Sequence, residues 1–412
     1  MQVIHTACAG LDVHKKTVVS CALLSRADGQ VQSHCRSFGT TTPQILALAD
    51  WLKGLGVTHV VMESTGVYWR PIYQLLEGSF TLLLVNAAHV KAVPGRKTDL
   101  NDAQWLAELL RHGLLRPSFV PPKAQRQVRE LTRHRSNLAA KRAQAINELH
   151  RTLEGTNVKL TSVATDITGV SATLMLEQLL AGQSDPKALA QLAMGRLRQK
   201  RVQLAEALQG KVEAHHKLIL SQLLVDIDLF DEQIEQTSAE IEQRLQREEQ
   251  LIQRLDVIPG VNRRVAEVLL AELGTDMGRF GSAERAAAWS GLCPGNRQSG
   301  GRRYATRSRK GNRPLKGALC QAGQAAGRSR DSYLGAQYRR IASRRGSKRA
   351  ALAAGHSILK ISYHMIARGT EYKDLGPDYF DRRNKDAVKR RLVERLEKLG
   401  YQVQVKEPTS TH

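Results

Sequence analysis

Four acids stand out by position. Asp99 and Asp102 open the stretch Lys97-Thr-Asp-Leu-Asn-Asp-Ala103, which runs into the amphipathic segment Gln104-Trp-Leu-Ala-Glu-Leu-Leu110. Two carboxylates three residues apart at a helix start share one face and can reach one ligand. They also suit plain capping, with Thr98 or Asp99 accepting from the first turn and both charges favoured at its positive end. Asp12 and Glu63 each fall at or near the end of an apolar, strand-like run, residues 9–13 and 59–63, where a side chain can face a crevice. Taken singly, an Asp in such a turn usually bonds to backbone and a Glu is usually solvated. Taken together, four converging carboxylates repel and take up protons unless a cation lies between them. Hard oxygen donors of this kind suit Mg²⁺ or Mn²⁺, commonly as a pair about 4 Å apart that serves phosphoryl transfer.

A second chemical stretch lies far downstream, in Gly291-Leu-Cys-Pro-Gly-Asn-Arg-Gln-Ser-Gly-Gly-Arg-Arg-Tyr-Ala-Thr-Arg-Ser-Arg-Lys-Gly-Asn-Arg313. Residues 291–350 hold sixteen Lys and Arg against one acid, Asp331, a density that calls for phosphates nearby. Ser299 lies among glycines and cations, so its hydroxyl can approach a phosphate closely; as a bare pattern, Ser-Gly-Gly reads as a linker. Arg297, Arg302, Arg303, Arg307, Arg309, Lys310 and Arg313 are the candidate nucleic-acid contacts.

The elements that must position these groups follow from pattern. With 412 residues there is room for two or three domains. A net charge of +23 and a pI of 10.1 call for a polyanionic partner, which charge alone leaves as nucleic acid or an anionic membrane. No apolar run nears the roughly 20 residues that span a bilayer, so no membrane partner is expected. The N-terminus lacks a basic segment followed by an apolar one, hence no secretory signal. Five cysteines (Cys8, Cys21, Cys35, Cys293, Cys320) are scattered without a C-x-x-C pair. This argues against a zinc site or disulfide framework and for a reducing cytoplasm.

Residues 9–13, 17–24 and 30–38 read as successive strands, with Asp28-Gly29 as a hairpin turn. Helices over 43–53 and 68–77 then alternate with strands at 59–63 and 80–85, and a mixed α/β domain closes at Pro121-Pro122. Residues 123–153 form a long basic helix, and 156–210 several shorter ones. Residues 216–253 form a second long helix whose Ile227, Ile234 and Ile241 suit either a coiled-coil seam or packing on the first. Ile258-Pro-Gly-Val-Asn-Arg263 resembles a helix-hairpin-helix turn with Asn262 taking the left-handed position, or an ordinary helix–helix turn. His356 and His364 read as packing residues of a helix over 350–368, and an amphipathic helix ending at Leu399 is expected to dock on the body. The resulting division is 1–122, 123–253, 254–370 and 371–412.

Gly10-Leu-Asp-Val-His-Lys15, Met62-Glu-Ser-Thr-Gly-Val-Tyr-Trp69 and Lys97-Thr-Asp-Leu-Asn-Asp102 resemble the three blocks of the DEDD transposases of bacterial insertion sequences. The group is the one named after insertion sequence one-hundred-and-ten. Ser299 and Arg309-Lys-Gly-Asn312 are similar to the serine-bearing block of the same family. The resemblance implies a ribonuclease H-like first domain, akin to the Holliday-junction resolvase RuvC, whose metal tetrad is Asp12, Glu63, Asp99 and Asp102. It further implies a coiled-coil-like helical middle with dimer contacts and a mostly α transposase domain with Ser299 as nucleophile. Donor and target DNA, an element-encoded structured guide RNA, a homo-oligomer with a composite site, and a place in the bacterial cytoplasm at the nucleoid complete what it implies. Two rivals stand beside it: a structure-selective nuclease using the tetrad and water, and a non-enzymatic nucleic-acid-binding protein.

Overall fold

The structure is a computed structural model that describes residues 2–26, 29–87, 90, 102–295, 298–304, 308 and 310–405. It separates into two compact units, Met1–Pro121 and Pro122–His412.

The first unit is built on five strands: β1 Ala7–Val13, β2 Thr17–Ser25, β3 Val31–Gly39, β4 His59–Glu63 and β5 Thr81–Val85. They lie in the order β3-β2-β1-β4-β5. The first three form an antiparallel meander, and β4 and β5 add in parallel on the far side of β1. This mixed sheet is consistent with a ribonuclease H-like fold. Alternation along the strands builds two cores. Ala9, Leu11, Val60 and Met62 pack with α1 Thr42–Gly54 and α2 Trp69–Leu76, while Cys8, Val61 and Val85 pack with α3 Asp102–Arg111.

Scattered cysteines argue against a disulfide framework, yet the sheet brings one pair together. Cys21 and Cys35, fourteen residues apart, are register partners of β2 and β3 with Cα atoms 4.1 Å apart, and they are bridged. Spacing along the chain hid the pair; antiparallel register made it.

The second unit begins with α4 Lys123–Gly155, against which α5 Ala214–Arg244 runs antiparallel. Arg244 reaches Gln127, Arg135 reaches Ser238, and Arg142 holds Asp231 through two bonds of 2.6 and 2.8 Å. Ile227, Ile234 and Ile241 are buried, with Ile227 beside Ala145 and Leu149 and Ile241 in a core with Val128. Expected to continue to Gln253, the helix instead stops at Arg244. A 3₁₀ turn, Gln246–Glu248, redirects the chain so that Leu245, Ile252 and Leu255 all enter one core.

That core also takes α6 Arg263–Leu273, α7 Ala283–Ser290, α8 Arg313–Ala326 and α10 Ser347–Arg368; α9 Tyr333–Arg345 packs on α10. Asn262 is not left-handed, contrary to expectation: at φ −121° it caps α6, accepting from the Val265 amide at 3.0 Å. The left-handed residue is Gly260, at φ +86°, where an added Cβ would lie 2.2 Å from the Ala322 carbonyl. The turn is therefore pressed against this unit's own α8. The last helix, α11 Lys385–Glu397, buries none of its residues and leaves Leu392 and Leu396 exposed, so the expected docking does not occur.

Candidate active site

Three of the four sequence-selected acids are described, and they sit on adjoining elements of the first unit. Strand alternation sends Asp12 to the same face as Cys8 and Gly10, the face covered by α3. Glu63 shares its face with Val61, again the α3 side. Leu11 is the register partner of Met62, so Asp12 and Glu63 are the next residues along two neighbouring parallel strands. Asp102 is the first residue of α3.

Gly10 is what lets α3 come so close. A Cβ there would lie 2.1 Å from the Ala103 carbonyl and 2.6 Å from the Ala107 amide. Cys8 seals the same contact by donating its thiol to the Ala107 carbonyl at 3.5 Å. Burial pushes that thiol up to about 12, which removes it as a nucleophile.

Asp12 and Glu63 are half-buried and Asp102 is exposed. Asp12 is held by His14 Nε2 at 3.1 Å, and Glu63 accepts from the Thr65 hydroxyl at 2.9 Å. Neither partner stood out by pattern. The donors are all carboxylate oxygens, the set that Mg²⁺ or Mn²⁺ prefers. Asp99 lies outside the described residues.

Among the described residues, the three groups whose donor atoms lie within 4.8 Å of one another are Glu213, His215 and His216; Asp12, Glu63 and Asp102 are not gathered that tightly. Two imidazoles and a carboxylate suit zinc-like ions better than Mg²⁺.

Ser299 belongs to a short hairpin in the second unit. β6 Gln298–Ser299 pairs with β7 Arg302–Arg303, Ser299 opposite Arg302. Gly300 at φ +55° and Gly301 at φ +74° make the two-residue turn, a conformation that side-chain-bearing residues resist. What reads as a linker from its bare pattern is a tight turn. Only the backbone of Ser299 and Arg303 is described. Arg302, Lys310 and Arg313 are exposed; Arg297, Arg307 and Arg309 lie outside the described residues.

The base of this excursion is pinned. Pro294 bridges Ser308, the Asn312 amide donates to the Trp289 carbonyl at 3.3 Å, and Gly311 backs onto Ser290 and Gly291 so closely that a Cβ would lie 2.4 Å from the Gly291 amide. Asn312 caps α8 through the Leu315 amide at 3.1 Å and donates its Nδ2 to Glu272 Oε2 at 2.6 Å.

Glu272, fully buried, is the residue that pattern reading missed. It takes Arg133 through two bonds of 2.7 and 2.9 Å and Arg129 Nε at 3.1 Å. Burial lowers Arg129 to about 10 against the pull of Glu272, leaving it charged at neutral pH. Nearby, Arg135 pairs with buried Glu267 at 2.6 Å. The available signal was two acids inside the apolar run Val265-Ala-Glu-Val-Leu-Leu-Ala-Glu-Leu273. Three of the cations on the long basic helix, Arg129, Arg133 and Arg135, are therefore committed to buried acids, and Arg142 pairs with Asp231 at the surface.

Asn312→Ser is expected to keep the helix cap but to be too short for Glu272, costing about 1.5–3 kcal/mol in denaturant unfolding. Asn312→Ala should cost roughly 1 kcal/mol more by losing the cap as well. Wild-type stability in Asn312→Ser would mean that Glu272 does not hold this turn.

Comparison with known proteins bears on both units. Residues 9–158 match a DEDD family model described as "Transposase", and residues 252–339 match one described as "Transposase IS116/IS110/IS902 family". A "Probable family 20 transposase" of Pseudomonas aeruginosa is 25% identical over 333 residues, covering 79% of this chain and 88% of that protein. The "Insertion element IS900 uncharacterized 42 kDa protein" of Mycobacterium paratuberculosis is 30% identical over 281 residues, covering 62% and 69%. The "Insertion element IS116 uncharacterized 44.8 kDa protein" of Streptomyces clavuligerus is 27% identical over 293 residues, covering 61% and 71%. No helix among the described residues is long and apolar enough to cross a membrane.

Proposed function

Because this chain belongs to the IS116/IS110/IS902 family of DEDD insertion-sequence transposases, we propose that it cuts and rejoins DNA through Ser299, assisted by divalent metal held in the first unit. The observation that carries this reading is the meeting of β1, β4 and α3, which turns Asp12 and Glu63 to the face where Asp102 begins its helix.

Asp12, Glu63 and Asp102, with Asp99, would hold Mg²⁺ or Mn²⁺; the bound metal supplies Lewis-acid polarisation of the phosphodiester. Ser299 Oγ attacks phosphorus, forming a serine–phosphate ester as the phosphorus–deoxyribose oxygen bond breaks. The serine proton leaves to base or solvent, and the departing oxygen gains one as a free hydroxyl. Attack by a hydroxyl of another strand on the same ester reverses the step and joins new ends. Arg302 and Lys310, with Arg297, Arg303, Arg307, Arg309 and Arg313, bind the backbone phosphates around the hairpin.

The acids and the serine lie in different units, so the reading extends to a composite site shared between protomers of a homo-oligomer. It extends also to an element-encoded RNA that selects donor and target DNA.

Purified protein on DNA spanning the element's ends tests the core of this. Strand scission is expected with Mg²⁺ and none with a chelator, binding being retained in both. Binding without scission under every metal condition would leave a non-enzymatic binding protein.

A further inference from the structure

The corner between α9 and α10 carries Arg344, Arg345, Lys348 and Arg349, all exposed, around Gly346 at φ +81°. Residues 332–370 contain neither Asp nor Glu. Neighbouring cations are used internally: Arg339 donates to the Ser329 and Arg330 carbonyls at 2.7 and 2.8 Å, Arg340 reaches Asp381, and Lys360 holds Glu284. Among the described residues no acid pairs with any of the four at the corner. Lys348 and Arg349 also occupy the first turn of α10, which has no side-chain cap. Positive side chains at the positive end of a helix are unfavourable in the protein alone and favourable beside an anion.

The position of this corner follows from helix packing. Gly355 of α10 lies against the Leu319 carbonyl, and Gly323 of α8 against the Ala351 carbonyl, so α8 and α10 run antiparallel. From that crossing, Asn312 at the hairpin's base lies one way along the pair and Ser347 the other. At 1.5 Å per residue the two are about 22 Å apart along the axis. That spans roughly six base-pair steps at 3.4 Å each.

We propose that Arg344, Arg345, Lys348 and Arg349 form a second anchor for the phosphodiester backbone of a duplex, about six base-pair steps along the helix pair from Asn312 at the base of the Ser299 excursion. Only the meaning of that distance rests on the serine reading; the anchor itself does not.

The test uses full-length Ser299→Ala protein, so that no chemistry intervenes, and measures duplex affinity against salt. Replacing all four cations by Gln is expected to lower the log–log slope by about 1.8–3.6, for two to four lost contacts at about 0.9 each. Arg344→Lys, Arg345→Lys and Arg349→Lys together should keep the slope, since the charge is retained. Running the series on duplex DNA and duplex RNA identifies which backbone is bound by which slope falls. An unchanged slope on both, with an unchanged melting temperature, overturns the anchor.

Discussion

Ser299→Ala is expected to fold and bind DNA as the wild type does while losing strand exchange by roughly 10⁴-fold or more, the scale seen when a catalytic nucleophile is removed. Ser299 sits on an extended strand just before the turn, where alanine is tolerated. The unusual conformations belong to Gly300 and Gly301, which the substitution leaves alone. The wild-type protein should pass through a covalent protein–DNA adduct that conserves the energy of the broken phosphodiester. A nicked or gapped substrate, which lets one product diffuse away, should trap that adduct, and digestion with mass spectrometry should place the phosphate on Ser299. If Ser299→Ala still exchanges strands, or the phosphate maps elsewhere, the serine mechanism falls. Water attack by the acids alone would then be favoured; it releases two free ends and no adduct.

Asp102→Asn should abolish metal-dependent cleavage while changing stability by no more than about 1 kcal/mol, the scale of one charge at a helix start. The side chain is exposed and Asn nearly keeps its shape, so what is removed is an anionic donor. Gly10→Ala provides the complementary case, because it alters no ligand. Its methyl meets the Ala103 carbonyl and the Ala107 amide, so α3 must move off β1. Overpacking of this kind costs about 1–3 kcal/mol. Cleavage should fall together with melting temperature, since a displaced α3 carries Asp102 away from Asp12 and Glu63. Full cleavage by Asp102→Asn at ordinary Mg²⁺ would remove Asp102 from the site. Full cleavage by Gly10→Ala would show that the approach of α3 to β1 does not set the geometry.

The strands and helices of the first unit were legible because their signals are local. Apolar runs of five to nine residues, a Gly-containing turn after β2 and Pro43 at a helix start each act within a few residues. That Asp12, Glu63 and Asp102 stand at or near the ends of their elements was legible for a related reason, since a carboxylate there is visible as a break in the apolar pattern. Contacts distant in sequence were not. Cys21 meets Cys35 only once the register of β2 and β3 is set. Gly10 looks like any glycine until α3 is laid across it. Glu272 reads as a surface acid until helices 139 and 40 residues away deliver Arg133 and Asn312 to it. The basic helix shows the same limit: its sequence does not reveal that buried Glu267 and Glu272 arrive from another helix to pair with Arg129, Arg133 and Arg135. Composition fixes how many cations there are. Whether a cation faces phosphate or an internal carboxylate depends on which helix packs beside it, and burial makes the internal pairing obligatory, since an unpaired buried charge costs several kcal/mol.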